Sequence, residues 1–203
     1  EIIFVDIALA QLAALGILIF ESIDHQHSEW EIWLYSSTAV LAGAIFFAYT
    51  RRFIHRIPQE AVIGIVYVVG ASVALLIASK SAHGAEHLRN TLNGSILWVT
   101  WPKIVTFLGM VALIAIPHWV YQDRFWKVSD QYRQIESKDS QFILWDFLFY
   151  LSLGLIIVIS VKTAGIFLIF TFLIVPAVVG ALFSTQFKSQ FLVGSIVSTA
   201  TSL

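Results

Sequence analysis

Apolar residues in this chain come in long blocks separated by short polar stretches. Six blocks have the length of a membrane crossing: Ile2–Phe20, Ile32–Thr50, Ala61–Ser79, Lys103–Tyr121, Phe142–Val161 and Gly165–Phe183. A seventh begins near Phe191. About 20 apolar residues carry a helix across the hydrocarbon layer. Only helices and closed barrels satisfy their backbone groups in lipid, and these blocks lack the alternation of a barrel strand. The pattern predicts an all-α fold, a polytopic transmembrane helical bundle of about seven spans.

Composition sharpens that reading. The 203 residues are 58% hydrophobic and 12% charged, about half the usual charged share of a soluble domain. Formal net charge is −1, so no overall field favours nucleic acid as a partner. Cysteine is absent, which excludes disulfides and thiolate metal sites. The chain opens on Glu1 and closes on "STATSL" inside an apolar run. It is expected to be a single domain, residues 1–203, truncated at both ends. Orientation follows from lysine and arginine. "RRFIHRIPQE" carries Arg51, Arg52 and Arg56 against one acid, Glu60, and should face the cytoplasm. Counting outward, "ESIDHQHSEWE" and "SKSAHGAEHLRNTLNGS" then face outside, while the Tyr121–Gln141 segment faces inside. Trp30, Trp33, Trp98 and Trp101 flank outer loops and Trp119, Trp126 and Trp145 an inner one, as interfacial belts require.

The polar exceptions carry the candidate chemistry. Asp6 lies in "FVDIALAQLAALG" with Gln11 five residues on, about 140° around a helix, so the two do not share a face. A carboxylate at membrane depth costs roughly 2.5–3.5 kcal/mol on insertion scales, which suits a cation path or a hydrogen bond to a neighbouring helix. "HGAEH" matches H-x-x-E-H, with His83 and His87 on one face and Glu86 beside them. A solvated loop, an outer vestibule that briefly holds a cation and a metal site all fit it. Pro176, with Gly180 one turn later, predicts a kink in the last complete span. No G-x-x-x-x-G-K-[ST] loop occurs, so ATP hydrolysis by that route belongs to another chain.

Several stretches together resemble the ABC-3 family of bacterial metal-importer permeases. They are "FVDIALAQLAALG", "RIPQEAVIGIVY", "GAEHLRNTLNGSILWVTW", "WDFLFY" and "VKTAGIFLIFTFLIVPAVVGALFS". The resemblance implies a permease of the type II importer kind, multi-pass in the bacterial inner (plasma) membrane, forming a homodimer. It implies a separate ATP-binding subunit, an extracytoplasmic metal-binding protein, and zinc, manganese or iron as the transported cation, with no permanently bound cofactor. It places the coupling helix around Ser129, Asp130, Gln131, Tyr132 and Arg133. Here the chain departs from the family, reading "SDQYRQIESK" where members often show Asp-Pro-Glu-x-Ala. Many members also carry a His near the acid in the span matching Ile2–Phe20, where this chain has Ile7 or Ala10. Asp6, Gln11, His83, Glu86 and His87 are thus the expected metal contacts, and Pro176 and Gly180 the hinge. The rival reading is a membrane-embedded metalloenzyme using His25, His27, His83 and His87.

Overall fold

The computed structural model describes residues 4–23, 29–50, 57–80, 84–125, 140–183 and 187–202. Each apolar block winds into a helix: α1 (Val5–Ile23), α2 (Glu29–Thr50), α3 (Gln59–Lys80), α5 (Trp101–Val120), α6 (Ser140–Ala164), α7 (Ile166–Phe183) and α8 (Phe187–Thr201). Between α3 and α5 stands a shorter helix, α4 (Gly84–Asn93), followed by one 3-10 turn, Ile96–Trp98. No strand occurs among the described residues.

α1 sits at the centre, packed against α2, α3 and α6 and touching α4 and α7. Its composition explains the position. Ala8, Ala10, Ala13 and Ala14 are buried, as are Leu9, Ile17 and Phe20, so small residues admit neighbouring backbones on several sides. Gly16 brings α1 close against α2. A Cβ placed there would stand 2.9 Å from the Tyr35 carbonyl oxygen and 3.0 Å from Ser36 Cα, both on α2. Phe47 of α2 and Tyr150 of α6 close the core, with ring centroids 6.1 Å apart.

Five described helices are long and apolar enough to cross a membrane: Trp30–Thr50, Gln59–Lys80, Trp101–Val120, Ile143–Ala164 and Ile166–Phe183. α1, with 19 residues, and α8, with 15, are not among them, so the reading of about seven spans is approximate. Large apolar side chains on these helices face outward, including Leu75, Leu76, Leu113 and Phe167, as lipid contact requires.

The stretch around "HGAEH" is more ordered than a solvated loop. Gly84–Asn93 is helical and packs against α1, α3, α6 and α7 at the predicted outer end. Its exit is welded to the α6–α7 junction by two left-handed glycines, Gly94 at φ 65° and Gly165 at φ 78°, whose backbones meet. A side chain on either would strike the other segment's main chain. The Ser95 N–H donates to the Thr163 carbonyl at 3.0 Å across the same junction.

Candidate functional site

Asp6 occupies the first turn of α1, where unpaired helical N–H groups favour a carboxylate. Its Oδ1 accepts from the Ile7 N–H at 2.9 Å. At 8% exposure it is a buried acid, and Gln11, at 7%, is buried too. Gln11 leans toward α3, its Cγ lying 3.1 Å from where a Cβ on Gly70 would be.

The predicted inner ends of α1, α3 and α6 hold more buried polarity than the sequence reading picked out. Gln59 Nε2–H, at the start of α3, donates to Tyr150 Oη on α6 at 2.8 Å. Asp146, one turn before Tyr150, is only 3% exposed. The signal was present in the sequence: Asp146 is the sole charged residue in the Phe142–Val161 block. By the default that an intramembrane acid marks function, it belonged among the candidates.

The expected outer cluster is only partly assembled. His87 Nδ1 of α4 lies 2.9 Å from Glu21 Oε2 of α1, while Glu86 is exposed to solvent. Glu21 was missed because it falls just past the first apolar block and only folding brings α4 to it. His83 lies outside the described residues, as do His25, His27 and the coupling residues Ser129, Asp130, Gln131, Tyr132 and Arg133. Among the described residues, no group of three or more histidines and acids converges on a metal-sized point.

The proposed hinge faces α8. Pro176 and Gly180 are both buried within α7. A Cβ on Gly180 would stand 2.6 Å from the Gln190 carbonyl oxygen, and one on Gly194 would stand 3.1 Å from that of Pro176. α7 and α8 therefore meet backbone to backbone at two levels. At the predicted inner end of α5, Tyr121 and Phe125 pack on Trp145 of α6 with centroids 5.5 and 5.3 Å apart. Beside them His118 Nδ1–H donates to the Ile114 carbonyl at 2.9 Å, and its Nε2 stands 3.1 Å from Ser152 Oγ on α6. This clasp holds both flanks of the 126–139 segment.

Apolar helices around a core that keeps a few buried acids and amides define a multi-pass membrane protein. The chain belongs to the ABC-3 family: the ABC 3 transport family matches residues 27–203. That match begins after α1, so Asp6 and Gln11 lie outside it. The family is one of transport membrane subunits, not enzymes, so the metalloenzyme reading is not favoured. The chain is 24% identical over 165 residues to a "Probable metal transport system membrane protein" of Chlamydia muridarum, covering 79% of this chain and 53% of that protein. It is 28% identical over 148 residues to one of Chlamydia pneumoniae, covering 71% and 50%. The chain thus spans about half the length of the curated relatives it matches. Its fold is similar to PsaBC from Streptococcus pneumoniae, solved in complex with Fab, at TM-score 0.69 and 20% identity over 99% of this chain and 70% of that one.

Proposed function

We propose that this chain is the permease part of an ATP-binding-cassette importer that moves a divalent metal cation, zinc, manganese or iron, across the bacterial inner membrane. The observation that carries the proposal is Asp6, a buried carboxylate on the central helix of a chain from this transport family. A cation crossing an apolar bundle loses its water, and fixed oxygen donors lower that barrier. Asp6 supplies charge and Gln11 an amide oxygen, both harder donors than imidazole. Their separation around α1 makes them successive stations rather than two arms of one site.

ATP is hydrolysed on a separate subunit, an extracytoplasmic metal-binding protein delivers the cation, and two permease copies enclose the route. The 126–139 segment, with Ser129–Arg133, seats on the ATPase. The Tyr121–Phe125–Trp145 clasp would pass its movement into α5 and α6, and α6 packs on α1. The α7–α8 pair around Pro176 and Gly180 flexes as a unit.

The test is metal uptake in vesicles containing all subunits, comparing Zn, Mn and Fe with and without ATP. ATP-dependent uptake of one metal, lost in Asp6→Ala at equal expression, is expected. Undiminished uptake in Asp6→Ala removes Asp6 from the route, and uptake that ignores ATP removes the importer.

A further inference from the structure

We propose that the outer half of the molecule carries a binding groove for an anionic phospholipid. A cavity of about 1210 Å³ lies between α5 and α6, bordered by α7 and the start of α2. α5 leaves it open, because none of its residues is buried and its main packing partner is α6.

The groove is graded along its length. Lys103 and Lys162 line it, together with Trp30 and Trp33. Lys103 is in the first turn of α5 and Lys162 in the last turn of α6, and both tryptophans are near the start of α2. The chain order places all four at the outer end, where indole rings sit at headgroup level. Further in, the walls are apolar, with Phe107 and Met110 from α5 and Leu153 and Ile156 from α6. At about 1.5 Å per residue, Lys103 to Met110 and Lys162 to Leu153 span about 10–14 Å. One leaflet of hydrocarbon is about 15 Å deep. Cationic rim and apolar floor therefore match one lipid molecule in depth and in order.

Charge selects the headgroup. Two ammonium groups repel a divalent cation, so this cavity is separate from the cargo route. Glu31 lies between the two tryptophans in sequence, and the charged residues among those lining the cavity are Lys103 and Lys162. An ammonium has three donors, so phosphate oxygens add to whatever contacts the lysines already make. A helix from a second copy would instead cover both ammonium groups with apolar surface, which is costly. Lysines beside membrane-facing pockets attract anionic headgroups by about 1 kcal/mol each, about fivefold in affinity.

The experiment uses the assembled transporter in nanodiscs of phosphatidylcholine doped with phosphatidylglycerol, with bound lipid measured by native mass spectrometry. Phosphatidylglycerol should be retained over phosphatidylcholine, falling about fivefold in Lys103→Gln or Lys162→Gln and about 25-fold in the pair. Equal retention by wild type and the double variant overturns the proposal. Phe107→Trp leaves both lysines intact. Its added fluorescence should be quenched by brominated phosphatidylglycerol more than by brominated phosphatidylcholine, and equal quenching also overturns it. A Thr106→Cys cross-link between two copies would show that a second permease fills the groove, and the lipid reading falls. None of these readouts requires metal uptake, so the transport proposal and this one fail separately.

Discussion

Tyr150 is a large side chain with no exposed surface, and its hydroxyl has to find a partner inside the bundle. Gln59 provides it from the first turn of α3. Tyr150→Phe would strip the amide of that partner while keeping the ring, and a destabilisation of about 1 kcal/mol is expected, within the range for such bonds in membrane proteins. Adding Gln59→Leu should cost less than the sum of the single changes, because both changes remove the same hydrogen bond. Denaturant titration of the purified protein in detergent measures both. The Glu21–His87 contact is more exposed, 17% and 34% at the side chains, so water screens it. Glu21→Gln should shift stability by less than about 1 kcal/mol. Neither contact was legible in the sequence, since each joins residues far apart in the chain.

Helices in this bundle differ in how closely they approach, and glycines report it. Gly16 lies against the α2 backbone and Gly180 against that of α8, whereas a Cβ on Gly109 of α5 would meet nothing within 4 Å. Gly16→Ala and Gly180→Ala should each cost about 1–3 kcal/mol through overpacking. Gly109→Ala should be neutral or gain up to about 1 kcal/mol from helix propensity. Thermal unfolding of the three variants in one detergent separates them, and equal effects would contradict the packing described. Block boundaries predicted the long helices to within a few residues because hydropathy is a local property. α4 escaped that reading, because its ten residues are mostly polar and are held by packing and by the Gly94–Gly165 junction.

At the scale of the molecule, the absence of cysteine from these 203 residues makes their topology directly testable. Asn90→Cys on α4 should react with a membrane-impermeant maleimide in intact cells, and Glu60→Cys at the start of α3 only after permeabilisation. The reverse pattern would invert the orientation and every side assigned from it. The same experiment tests the predicted outer placement of Lys103 and of the groove.

Apolar block length by itself determined the class of this protein, since the free energy of leaving water sums residue by residue along a local stretch. Motif order determined its family. Tertiary structure decided which polar groups meet: Gln59 with Tyr150, His87 with Glu21, and Trp145 with the end of α5. It also decided that α1, the block carrying Asp6, is the one enclosed by its neighbours. The physical reason is that a side chain's partner depends on how helix surfaces interlock, and hydropathy along one segment contains no term for the segment packed against it.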